Sequence, residues 1–124
     1  MEIKLIFLIL LISIFLISGC TETPHKYSQS ESRQIAKQML EGSPMYKFDG
    51  FDLNLIEANP QNCVSCYEFK FNFKNKHPGY GDRAGQMLAQ VITSHKAVLK
   101  VVNGSVTYAV VDNVWDILAQ DFLA

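Results

Sequence analysis

An α+β fold follows from three patterns: a capped amphipathic helix starting near residue 30, an unbroken apolar–polar alternation from Tyr67 to Phe73, and an Asn103-Gly104 dipeptide between two apolar runs. One stretch of helical period followed by several of strand period places a helix before an antiparallel sheet, not between parallel strands. The expected architecture is an N-terminal helix packed on a four-stranded antiparallel sheet, with a short C-terminal helix.

The helix is predicted over about residues 30–41. Ser28 and Glu31 have capping-box spacing, and Ile35, Ala36, Met39 and Leu40 fall on one helical face. Gly42 followed by Pro44 stops it. Phe51 to Leu55 alternates apolar and polar residues, as a strand with one wet face does. Tyr67, Phe69, Phe71 and Phe73 share a strand face, with Glu68, Lys70 and Asn72 on the other. Such an aromatic stripe reads as core, each buried ring contributing roughly 2–3 kcal/mol.

Asn-Gly favours a two-residue type I′ hairpin turn. That turn predicts Val102 opposite Ser105, Val101 opposite Val106, Leu99 opposite Tyr108 and Ala97 opposite Val110. The other face of this hairpin is mixed and polar toward its centre. Asn113, with Asp116 three residues on, predicts the cap of the last helix, which Ile117, Leu118 and Phe122 would line on one side. From Arg83 to Thr93 the pattern fits a helix and a strand equally.

Two stretches carry candidate chemistry. Cys63-Val-Ser-Cys66 precedes the aromatic strand, and three readings stay open: a structural disulfide, a redox pair and part of a metal site. Thioredoxin-like pairs open a helix after a strand, whereas this one precedes a strand. The nearby histidines, His77 and His95, match no zinc spacing with the pair. The second stretch is the glycine-rich loop after His77, where Tyr80, Asp82, Arg83 and Gln86 are the binding candidates. Alternatively it is a wide connection in which Asp82 caps its own turn and pairs with Arg83. Its glycines follow no phosphate-binding pattern. The carboxylates are scattered and no catalytic set stands out, so neither an active site nor a cofactor is expected.

The first residues speak to location. Met1 to Lys4 is followed by thirteen residues, Leu5 to Ile17, that are apolar except for Ser13. This is the layout of an export signal. Ile17-Ser18-Gly19-Cys20 resembles the lipobox of prokaryotic lipoproteins. That resemblance implies cleavage after Gly19 and diacylglycerol on the Cys20 thiol. Residues 1–19 are then a signal peptide, residues 20–29 a lipidated cysteine and flexible tether, and residues 30–124 one α+β domain. The three cysteines divide accordingly: Cys20 carries lipid, and Cys63 and Cys66 remain as an even pair. A net charge of −1 with no basic run gives no reason to expect nucleic acid.

The order of elements over about residues 28–112 resembles the small cystatin-like and PepSY-like domains. Several segments together look like a group of prokaryotic exported proteins and lipoproteins. They are Tyr46 to Gly50, the cysteine pair running into Tyr67-Glu68-Phe69, Gly79 to Arg83 with Gly85-Gln86, Gln90 to Thr93 with His95, and Trp115-Asp116. The resemblance implies an exported location and carries no activity. Gln90-Val91-Ile92-Thr93-Ser94 lacks the spaced valine and the glycine of a cystatin-type inhibitory loop. The expectation is a lipid-anchored, extracytoplasmic binding domain, presenting the 79–86 loop and the mixed sheet face to a protein or small-molecule partner. A thiol-redox or metal-handling role for Cys63 and Cys66 is the alternative.

Overall fold

The structure, a computed structural model, describes Gly19 and residues 24–124. Residues 1–18 of the expected signal peptide, and Cys20, therefore lie outside the described residues. Among the described residues, no helix is long and apolar enough to cross a membrane.

Helix α1 spans Gln29–Glu41. Its capping box is formed: Glu31 N donates to Ser28 Oγ at 3.1 Å, and Ser28 N donates to Glu31 Oε2 at 3.4 Å. Ala36 and Leu40 are fully buried, with Ile35 and Met39 packed beside them. Gly42 caps the C-terminus. A short helix that the periodicity did not predict, α2, follows at Pro44–Asp49. Ser43 is its N-cap and Pro44 occupies the first turn, where the missing amide proton does no harm.

Six antiparallel strands follow in chain order, β1 Gly50–Pro60, β2 Cys66–Asn75, β3 Thr93–Val102, β4 Ser105–Val111, β5 Trp115–Asp116 and β6 Asp121–Phe122. The inner face gathers Phe69, Phe71 and Phe73 from β2, Ala97, Leu99 and Val101 from β3, and Ala109 and Val111 from β4. Helix α1 lies across it. The aromatic stripe is core, as its alternation predicted.

Three expectations need correction. First, the sheet has six strands instead of four, and the short C-terminal helix is absent. Asp112 and Asn113 both adopt positive φ (52° and 60°), which reverses the chain into β5. In a strand Trp115 and Ile117 point the same way, and both are buried. A helix would have turned them to nearly opposite sides, so the core selects the extended form. Asp116 Oδ1 instead accepts from Leu118 N and Ala119 N in the following turn.

Second, the β3–β4 register follows the prediction only next to the turn. Val102 faces Ser105 and Val101 faces Val106, with Asn103 and Gly104 both at positive φ. A bulge at Thr107 then shifts the pairing, so Leu99 faces Ala109 and Ala97 faces Val111. The shift turns Tyr108 outward, its ring 5.0 Å from Lys100 Nζ, and puts the small Ala109 in the core with Ala36 and Leu40. Third, residues 84–92 form neither helix nor strand, and Met87, Val91 and Ile92 are exposed.

Candidate functional site

The loop after β2 is tied to the body by two carboxylates. Asp49 ends α2, and its side chain is nearly buried. It accepts from His77 N at 2.8 Å, from Asn75 Nδ2, and from Arg83 NH2 at 2.7 Å, with His77 Nδ1 2.9 Å away. Arg83 is only 3% exposed. Its guanidinium also donates to the carbonyls of Pro78 and Gly79 and lies 5.0 Å from the Phe48 ring centre. Burial pushes the Asp49 carboxyl up, but the bonds from Asn75 and His77 and the charge of Arg83 outweigh it and hold the group below its ordinary value.

The second carboxylate is Asp112, at the β4–β5 turn. Its Oδ2 accepts from the Tyr80 hydroxyl at 3.0 Å and lies 2.6 Å from His95 Nδ1, while Oδ1 accepts from Lys96 N at 2.8 Å. Burial, then the bond to Asp112 and its charge, raise the Tyr80 phenol to about 12. The Tyr80 ring stacks on Trp115 at 6.1 Å and meets Phe122 edge-on at 5.8 Å. Gly81 sits at φ +73° where a Cβ would come within 2.9 Å of the Trp115 ring, so the loop passes this close only as glycine. His95 is 4% exposed behind Phe73 and Tyr80. The Asp112–His95 pair positions the loop, with the His95 ring buried and the Asp112 side chain 27% exposed.

The four loop candidates therefore divide. Tyr80 and Arg83 turn inward and hold the loop. Asp82 and Gln86 stay exposed, with Asp82 Oδ1 capping Ala84 N at 2.9 Å. Asp82 caps its own turn as the wide-connection reading expected, but Arg83 pairs with Asp49 and not with Asp82. Cys63 and Cys66 are joined as a disulfide with Cα atoms 5.3 Å apart. No group of three His, Cys, Asp or Glu suited to a metal ion occurs among the described residues.

The residues that sequence reasoning missed are Asp49, Asn75, His77, His95 and Asp112. A signal for two of them existed. Asn75 and His95 occupy the buried phase of β2 and β3, in line with Phe71–Phe73 and Ala97–Leu99. A polar residue in an apolar phase needs a partner, which Asn75 Nδ2 and His95 Nδ1 have, while Asn75 Oδ1 and His95 Nε2 are buried without one among the described residues.

Among the described residues, nothing packs over the outer sheet face. Two adjoining clefts of about 420 and 430 Å³ lie on it and share Lys96 and Asp112. Asn54, Asn72 and Ser94 line the first, and Val98 and Tyr108 the second. Lys70 pairs with Glu57 at 3.2 Å, Lys74 with Asp52 at 3.3 Å and Lys100 with Glu68 at 3.9 Å. Among the described residues, Lys96 makes no ion pair, and it stands at the junction of the two clefts. Such exposed pairs contribute only about 0–1 kcal/mol each and rearrange easily for a ligand. Compared with known proteins, the chain matches no family model, no curated protein and no solved structure.

Proposed function

We propose that this protein is a lipid-anchored, extracytoplasmic interaction domain that binds its partner on the outer face of the sheet. The lipobox-like Ile17 to Cys20 supports the anchor, and two acyl chains suffice to hold a domain on a bilayer. The observation that carries the binding role is the uncovered outer face, with Lys96 at the junction of two clefts. The loop carrying the exposed Asp82 and Gln86 connects β2 to β3 beside that surface. A partner with an acidic group opposite Lys96 suits it.

The test joins two measurements on the chain produced in a prokaryotic host. Intact mass should show residues 1–19 removed and diacylglycerol added. A photoreactive residue at Lys96 should give discrete adducts in the native envelope, and one at the helix position Lys37 should not. An unmodified, soluble product refutes the anchor; equal labelling from both positions refutes the binding face.

A second reading has one observation in its favour: Cys63 is exposed while Cys66 is 3% exposed. One reachable sulfur and one shielded sulfur is an arrangement suited to thiol–disulfide exchange. A reduction potential well above about −300 mV would favour it, and one below would leave the bond structural.

A further inference from the structure

The described tether does not leave the domain freely. Tyr27 N donates to Ser65 Oγ at 2.9 Å, and the Tyr27 ring lies over Gly104 so closely that a Cβ there would collide with it. His25 meets the Tyr27 ring edge-on at 4.6 Å, and its Nε2 is 3.0 Å from Glu31. From His25 onward the chain is thus fastened to one end of the sheet. That end holds the Cys63–Cys66 loop and the Asn103-Gly104 turn, brought together by the Cys66–Val102 pairing and by Asn103 N donating to Ser65 O at 2.9 Å.

His25 lies only five positions after Cys20, a reach of at most about 18 Å when fully extended. The ten residues of β2 span roughly 33 Å. A leash this short, fixed at one end of the sheet, keeps that end nearest the lipid. The two ends also differ in charge. Residues 58–67 and 101–107 contain no Asp, Glu, Lys or Arg, and the charges at this end are those of the tether and helix start, Lys26 and Glu31. Val64, at the tip of the disulfide loop, is 71% exposed. The opposite end carries Asp49, Lys76, Asp82, Arg83 and Asp112. Pressing charged groups toward a bilayer costs hydration, and the loop and turn of the first end bring none to it.

The geometry points to the Cys63–Cys66 loop and the Asn103-Gly104 turn as the bilayer-facing foot of the domain, resting in the phospholipid headgroup layer with Val64 foremost. The 77–92 loop end then stands outermost, and the outer sheet face stays accessible along the membrane normal. This orientation rests on the lipid-anchored reading above.

The test uses the full chain, isolated in its lipid-modified form and placed in phosphatidylcholine vesicles carrying nitroxide on a fraction of the headgroups. Val64→Trp and Met87→Trp each add one emitter at an exposed position, over the constant background of Trp115. Val64→Trp should lose most of its added emission to the headgroup quencher, and Met87→Trp should lose none beyond background. Adding Tyr27→Ala to Val64→Trp should release the clamp and restore much of that emission while the protein still floats with the vesicles. Flotation with Met87→Trp quenched as strongly as Val64→Trp overturns the orientation alone. Failure to float overturns the anchored reading, and the orientation with it.

Discussion

The two ends of the sheet are built on different principles. At the Cys63–Cys66 end the closures are short, a disulfide across three residues and a two-residue turn, and only single bonds from Tyr27 and Asn103 to Ser65 reach it from afar. At the opposite end the constraints span long stretches of chain. Asp49 binds Arg83 across 34 positions, and Asp112 binds Tyr80 across 32. The local end loses one staple at a time, whereas the loop end depends on two carboxylates, Asp49 nearly buried and Asp112 27% exposed, that each hold several partners.

The largest effect expected from this contrast comes from Asp49→Ala. It strands the Arg83 guanidinium in a buried site, and breaking a buried ion pair from one side costs about 3–5 kcal/mol. Urea denaturation should show it as a lower midpoint. An unchanged midpoint would mean that the loop end is no more cooperative than the other.

The same carboxylate sets an acid limit. Because the folded Asp49 pKa lies below its ordinary value, its contribution is complete above the unfolded value of about 3.9. It is lost as the pH falls through the depressed folded value. The stability of the wild type should therefore drop more steeply below about pH 4 than that of Asp49→Asn. Parallel acid limbs would assign that drop to other carboxylates.

Replacing both Cys63 and Cys66 by serine should cost less, roughly 2 kcal/mol in the chain-entropy model for so short a loop. Labelling from Lys96 should be retained, since the outer-face clefts lie on other residues. Gly104→Ala forces a φ of +80° on a residue with a Cβ, worth about 1–2 kcal/mol, and displaces the Tyr27 ring. Its distinctive readout is faster tryptic cleavage after Lys26 as the tether comes loose. The smallest effect is Tyr80→Phe, about 1 kcal/mol, because Asp112 keeps its contacts to His95 and to the Lys96 amide. A loss as large as that of Asp49→Ala would make the Tyr80 bond, and not the ion pair, the main tie of the loop.

Legibility in the sequence followed the same division. Helix α1, its capping box, the aromatic stripe of β2 and the turn at Asn103-Gly104 were readable because each depends on residues within a few positions. The hairpin shows where that reading stops. Two pairs from the turn the register was right, but the bulge at Thr107 is set by what Ala109 and Tyr108 meet on the two faces of the sheet. Residues 113–122 failed for the same reason. Their cap and spacing suit a helix, and the burial of Trp115 and Ile117 on one side suits a strand.

The site was less readable than the fold. Tyr80 and Arg83 were singled out for chemistry because the loop is rich in glycine, yet both point inward. Their partners, Asp49 and Asp112, lie in other elements where nothing local marks them.

From its own order of residues, this chain determined a helix-then-sheet domain, one face of the core, one tight turn and a cysteine pair close enough to bridge. Those features depend on period and on short-range geometry, which a linear reading contains. The number of strands, the register past the bulge and the fate of each loop charge were decided by the folded core. There, the cost of burying Arg83, His95 and Asn75 without partners selects contacts between residues that the chain holds far apart.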